Sequence, residues 1–293
     1  MNGPISSTVS FPITPSQMQQ YGKLEIDAQL NCPGKNDDTC PMWDRTLQLL
    51  VCCNSSSILC NQEIGRWITP FKRGAGHWIS DITPLIPLLD QQQCNFQFAI
   101  NQSGGGVDDP WRPSAKLVFS QLNTGDSIPV GPTSIIPLFN GGTFDNTYNQ
   151  AYQPVSFQLP ANTQKVVLSA IITGHGCGDD CCCEFCPTTH NFVFMTTNAT
   201  STITKTFENA GTLMGCAERV RNGVEPNEYG TWLYGRDGWC DGENVFPWVT
   251  DVTNLVLPGI TNQVDYFAQF QGQDPSQGGY IIMYSYLTFF TVL

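Results

Sequence analysis

Two acidic residues in this sequence sit inside cysteine frames. Residues 181–190 read CCCEFCPTTH, with cysteines on both sides of Glu184. Residues 31–45 read NCPGKNDDTCPMWDR, where Cys32 and Cys40 flank a polar loop ahead of Trp43, Asp44 and Arg45. A carboxylate that moves protons or holds a polar substrate must be kept at a fixed height, and a small disulfide ring supplies that rigidity. A Cys32–Cys40 bond would close a short loop and contribute roughly 2–3 kcal/mol by the chain-entropy model. The plainer reading of the same stretch is a surface staple followed by a solvated Asp44–Arg45 pair.

The CCCEFC run admits three readings. Zinc requires four thiolate or imidazole ligands, which Cys177, Cys181, Cys186 and His190 offer, but no matching C-x2-C pair stands elsewhere. Asp179 and Asp180 would also add uncompensated negative charge beside the thiolates. A redox centre would call for C-x-x-C near a βαβ pattern. The third reading is a Cys182–Cys186 ring with Glu184 at its apex, leaving Cys177, Cys181 and Cys183 to pair with one another or stay free.

A further polar turn, RDGWCDG, brings Arg236, Trp239 and acidic groups together at residues 236–242. An aromatic face beside a guanidinium suits a sugar, whose C–H face stacks while the donors fork to hydroxyls or carbonyls. The alternative is that Trp239 plugs the end of a sandwich. In EIGRWITPF, Ile64, Trp67 and Ile68 read as core, with Arg66 paired nearby. Nucleophile elbow, Walker loop, H-E-x-x-H and H-x-H patterns are all missing, and His77, His175 and His190 have no nucleophile in recognisable context.

The elements that must position these groups read as strands. Runs such as KLEIDAQL, TLQLLVCC, CNFQFAIN, KVVLSAIITG and GYIIMYSYLTFF are rich in β-branched and aromatic residues and bounded by Gly, Pro, Asn or Ser. No stretch keeps helical periodicity for a dozen residues, although SDITPLIPLL could hold a short turn. An all-β chain of two tandem antiparallel β-sandwiches, jelly-roll-like and packed side by side, is expected. QLNTGDSIPVGPTSIIPLFNGG is the expected linker near 124–140, dividing sandwiches at 1–128 and 129–293.

Composition narrows the partners. The chain has 293 residues, 41% hydrophobic and 13% charged, with 13 Lys plus Arg against 25 Asp plus Glu and a net charge of −12. That balance argues against nucleic acid and anionic membranes, both of which need a basic surface. No apolar run is long enough for membrane insertion through a helix, and no signal peptide is visible at MNGPISSTVSF. Thirteen cysteines point to an extracellular or otherwise oxidising compartment, or to a virus particle, and the odd count leaves at least one thiol free or paired outside the chain.

Taken together and in order, C-x7-C-P-M-W-D-R, EIGRWITPF, C-C-E-F-C-x3-H and LMGC…RDGWC resemble the bacterial peptide-N-glycosidase F family across nearly the whole chain. The resemblance implies two eight-stranded sandwiches with a site in the groove between them. It also implies an amidase that hydrolyses the glycosylated asparagine side chain of an N-glycoprotein to aspartate plus glycosylamine, with no metal or cofactor. Asp44 matches the family's essential acid, Glu184 a second site carboxylate, and Arg45 an arginine beside the first. Arg236 and Trp239 match residues lining the groove. The implied disulfides are Cys32–Cys40, Cys182–Cys186 and Cys216–Cys240. Two substrate-binding positions depart from the pattern: the family's third acid falls on Asn101 or Gln102, and a second-domain aromatic is His175 rather than Trp. Asn101 also opens an N-x-S sequon, as Asn54 and Asn198 do. The missing acid leaves two other readings: a catalytically silent building block with protein assembly partners, such as a virion component, and a glycan-binding module.

Overall fold

The computed structural model describes residues 5–74, 76–100, 111–121, 129–176, 183–276 and 278–293. The first sandwich has one four-stranded sheet, in the order β1 (Ile5–Ser10), β6 (Gln93–Ile100), β3 (Thr46–Cys52) and β4 (Gln62–Ile68). Facing it is a three-stranded sheet of β5 (His77–Asp81), β2 (Lys23–Asn31) and β7 (Arg112–Ser120). The second sandwich has two four-stranded sheets. One runs β13 (Trp248–Asp251), β10 (Thr163–His175), β15 (Tyr280–Val292), β8 (Val130–Thr143); the other runs β12 (Thr200–Thr206), β11 (Thr188–Met195), β14 (Asn262–Phe270), β9 (Val155–Phe157). All these pairings are antiparallel. Two antiparallel sandwiches are therefore the architecture, with seven strands among the described residues of the first and eight in the second.

Alternation builds each core. On β2, Leu24, Ile26, Ala28 and Leu30 point inward against Leu47, Leu49 and Val51 of β3. The second core gathers Val166, Leu168, Phe192, Phe194, Val264 and Tyr266. Two strands break the alternation because both of their faces are covered. All seven residues of β4 are buried, as are Val166 to His175 on β10. Their outer faces meet across the seam between sandwiches, where Ile68, Ile171, Trp239 and Val245 form a small apolar cluster.

Polar contacts fix that seam. Arg66, fully buried, pairs with Glu63 at 2.6 Å and donates from Nη1 to Thr173 Oγ1 (2.6 Å) and to the Ile282 carbonyl (2.8 Å) of the second sandwich. Tyr286 donates its hydroxyl to the Glu63 carbonyl at 2.8 Å. The outer edge of β4 is completed by a segment of the second sandwich: Ile68 N–H bonds Glu243 O, Val245 N–H bonds Arg66 O, and Trp67 bridges Asn244.

The expected linker is corrected in part. Residues 130–143 form β8, which pairs with β15 at the edge of its sheet. Pro132 and Pro137 lack the N–H that an interior strand needs, but an edge strand with register shifts accommodates them. The boundary at 128/129 adjoins residues 122–128, outside the described residues. SDITPLIPLL does hold a short 3-10 helix, Thr83–Leu88, and Pro15–Gln19 forms a single α-helical turn capped by Thr14 and Gln17.

Candidate active site

Asp44 lies between the Cys32–Cys40 disulfide and the start of β3. Thr69, at the end of β4, clasps the chain on both sides of it: its hydroxyl donates to Trp43 O (2.8 Å) and accepts from Arg45 N–H (2.7 Å), and its N–H reaches Arg45 O (2.9 Å). This clasp turns the Asp44 side chain inward, to 15% exposure. The solvated surface pair that the WDR sequence also allowed is thus corrected, because the carboxylate faces Arg236 of the other sandwich instead of water. Arg45 is half-buried beside it.

Glu184 follows Cys183, a non-glycine residue with φ of 98°. The segment is pressed against β10 so closely that a Cβ on Gly174 would lie 2.0 Å from the Cys183 carbonyl oxygen. Asp237 N–H donates to Glu184 O at 2.7 Å, tying the acid's backbone to the RDGWC turn. Cys186 is disulfide-bonded, and its expected partner Cys182 lies outside the described residues, as do Asn101 and Gln102. The expected Cys216–Cys240 bond is present, and Cys52–Cys60 and Cys53–Cys94 are two further disulfides. His190 is buried with Nε2 against Thr188 Oγ1 (2.8 Å) and Nδ1 against Tyr266 O–H (2.7 Å), so both ring nitrogens are occupied by core partners.

Arg236 joins the two acids. Its Nε lies 3.2 Å from Glu184 Oε1 and its Nη2 3.7 Å from Asp44 Oδ2. Nη1 lies 3.5 Å from Asp241 Oδ2, an acid that the sequence motif alone does not single out. The guanidinium sits between the rings of Phe185 (5.0 Å) and Trp239 (4.9 Å). Behind Trp239 the stack continues through His175 and then Tyr280, with ring centres 5.1 and 5.4 Å apart.

Trp239 and His175, expected at the substrate, are only 3% and 6% exposed. Their faces are taken by Arg236, by each other and by Tyr280, so they buttress the arginine from beneath. The indole donates to Gly174 O at 2.8 Å. His175 Nε2 lies 2.7 Å from Thr173 Oγ1 and 3.3 Å from Thr46 Oγ1, and burial lowers its pKa to about 3, keeping the ring neutral. Since Thr173 also accepts from Arg66, one polar chain runs from the seam to the site.

Burial dominates the electrostatics. It raises the pKa of Asp44, with repulsion from Asp241 adding and Arg236 opposing, and it raises that of Asp241, with Arg236 again opposing. Glu184 is raised by burial and lowered by Arg236. Asp44 and Asp241 are held side by side on the two terminal nitrogens of Arg236, at 3.7 and 3.5 Å. The exposed aromatic nearest in sequence to Asp44 is Trp43, 42% exposed and edge-on to Phe71. Arg236 also lines a cavity of about 310 Å³ together with Phe185, Asn227, Tyr229, Leu233 and Tyr234. Both Asp241 and Trp43 stand inside motifs read in the sequence; burial against Arg236 sets Asp241 apart, and exposure beside the Thr69 clasp sets Trp43 apart.

Known proteins share this arrangement of sandwiches. A solved structure of PNGase F, a glycosylasparaginase from Flavobacterium meningosepticum, superposes with a TM-score of 0.70 at 21% identity, covering 100% of this chain and 92% of that one. A second structure, of peptide-N(4)-(N-acetyl-β-D-glucosaminyl)asparagine amidase, gives 0.73 at 20% identity, covering 100% and 91%. In sequence, the chain is 26% identical over 279 residues to peptide-N(4)-(N-acetyl-β-D-glucosaminyl)asparagine amidase F of Elizabethkingia miricola, spanning 86% of this chain and 69% of that protein. Residues 3–103 match the family described as peptide-N-glycosidase F, N terminal, and residues 143–288 match peptide-N-glycosidase F, C terminal. With an acid from each sandwich meeting at one arginine and both halves matched in order, the chain belongs to the peptide-N-glycosidase F family.

Proposed function

We propose that this protein is a glycoamidase that hydrolyses the side-chain amide between asparagine and the N-glycan of a glycoprotein, releasing aspartate and a glycosylamine. The observation that carries this reading is the convergence of Asp44 and Glu184, from different sandwiches, on Arg236 at 3.7 and 3.2 Å. An amide is a poor electrophile, so water must be activated while the departing nitrogen is protonated. Asp44, less buried than Asp241 on the same guanidinium, takes the proton from water. Glu184, 22% exposed at its side chain, accepts hydrogen bonds from the core N-acetylglucosamine. Arg236 bridges both acids and offsets part of their charge, while Trp43 and the aromatic cavity beside Arg236 offer faces for sugar rings. The disulfides fit an extracellular or otherwise oxidising compartment, and no described helix is long and apolar enough to cross a membrane.

The test is to incubate the protein with a denatured N-glycopeptide and follow conversion of glycosylated Asn to Asp by mass spectrometry, with Asp44→Asn in parallel. Turnover by the wild type, lost in the variant, is expected. An inactive wild type across pH 4–9 would refute the reading and leave the silent building block or the glycan-binding module, which a glycan-binding measurement would separate.

A further inference from the structure

The third acid expected from the family pattern is an amide here, Asn101 or Gln102. Yet the site holds a third carboxylate, from the opposite sandwich. We propose that Asp44 and Asp241 form a dyad sharing one proton, in which Asp241 is the buried partner that lets Asp44 serve first as base and then as acid. This deepens the glycoamidase reading and rests on it.

Three observations support the dyad. Asp44 Oδ2 and Asp241 Oδ2 lie 3.7 and 3.5 Å from the two terminal nitrogens of one guanidinium, which brings two buried carboxylates side by side, where their like charge favours a proton on one of them. Asp241 is 2% exposed, and its Oδ1 is buried with no hydrogen-bond partner, an oxygen that a shared carboxyl proton would satisfy. Arg236 brings one positive charge to Glu184, Asp44 and Asp241, so taking up one proton brings the cluster nearer neutrality. Asp241 is also held rigidly. It follows Cys240, which is bonded to Cys216, and its carbonyl accepts from Glu225 N–H at 2.8 Å.

The proton count closes over the reaction. The dyad starts with one proton, and ionised Asp44 removes a second from water as the oxygen bonds to the amide carbon. The C–N bond then breaks, and Asp44 delivers a proton to the departing nitrogen. The products are aspartic acid and glycosylamine, and the dyad again holds one proton. Asp241 does not reach the substrate; it is a positioning residue that acts through Asp44. The other charged groups facing the pair are Arg236, Glu184, Glu228 and Glu243, the last paired with Arg219.

Two measurements test this. The first is the pH profile of kcat/KM for wild type and Asp241→Asn with the N-glycopeptide. The wild type should give a bell whose alkaline limb marks departure of the shared proton. In the variant kcat/KM should fall on the order of 10²-fold. Its alkaline limb should vanish and its acid limb move to lower pH, since the like charge beside Asp44 is gone. An unchanged profile, or a loss equal at every pH, would overturn the proposal. The second uses ¹³Cγ-aspartate NMR, assigned with Asp44→Asn and Asp241→Asn, and does not depend on turnover. Coupled titration of the two carboxyls, reduced to one step in each variant, is expected. Two independent titrations in the ordinary carboxylate range would overturn the dyad even if the enzyme is active. Coupled titration in an inactive wild type would instead sink the glycoamidase reading, and the dyad's catalytic role with it.

Discussion

Replacing Arg236 with methionine isolates what one guanidinium does for three buried acids. Methionine keeps most of the volume between Phe185 and Trp239 and removes the charge. At an effective dielectric of about 20, each contact of roughly 3.5 Å is worth about 5 kcal/mol before desolvation. Desolvation offsets much of this, and removing one partner of a buried ion pair typically costs about 3–5 kcal/mol. Arg236 lowers the pKa of Asp44, Glu184 and Asp241, so its contribution is present where those acids are ionised and fades as pH falls and they protonate. Urea unfolding of wild type and Arg236→Met should therefore show a loss of about 3–5 kcal/mol at pH 8. At pH 5 only the stacking share should remain, about 1–2 kcal/mol. An equal loss at both values would refute the electrostatic argument and leave packing as the arginine's main role. Arg236→Lys should fall between, since an ammonium cannot fork to three carboxylates.

Asp237 is fully buried, accepts from Thr188 N–H (3.1 Å) and Thr188 O–H (2.6 Å), and is pushed up to about 8 by burial. Its folded pKa is raised, so its contribution to stability is complete below about pH 4 and lost as pH rises to about 8. Asp237→Asn should thus gain stability relative to wild type between pH 4 and pH 9 in paired urea titrations; a pH-independent difference would contradict this. The Cys183 thiol is buried and pushed up to about 12, mainly by burial. Iodoacetamide at pH 8 should leave it untouched in the native protein and label it after unfolding, read from the mass of its peptide; native labelling would contradict the burial.

Much of the fold is legible in local pattern. KLEIDAQL alternates as β2 does, with Leu24, Ile26, Ala28 and Leu30 inward. By contrast, β4 has no alternation to read, because its second face is covered by the other half of the chain. The prolines of β8 resemble punctuation until its edge position is known. At the site, cysteine frames and charged motifs pick out Asp44, Glu184 and Arg236. Asp241 stands in RDGWCDG beside three other charged or aromatic residues, and nothing in that string says which acid turns toward Asp44. Trp239 shows the opposite problem. Its motif suits a sugar platform, yet the His175 and Arg236 faces that bury it come from residues 64 and 3 positions away.

The segment completing the β4 edge belongs to the same turn as Arg236, Trp239 and Asp241. It caps a row of backbone groups that would otherwise be open to pairing with another chain. In evolutionary terms, the halves are not interchangeable modules. A hybrid that took its first sandwich from one relative and its second from another would have to match the β4 edge, the Arg66 contacts and the acid cluster all at once. Selection for solubility therefore acts on the same turn as selection for chemistry, and drift in one constrains the other.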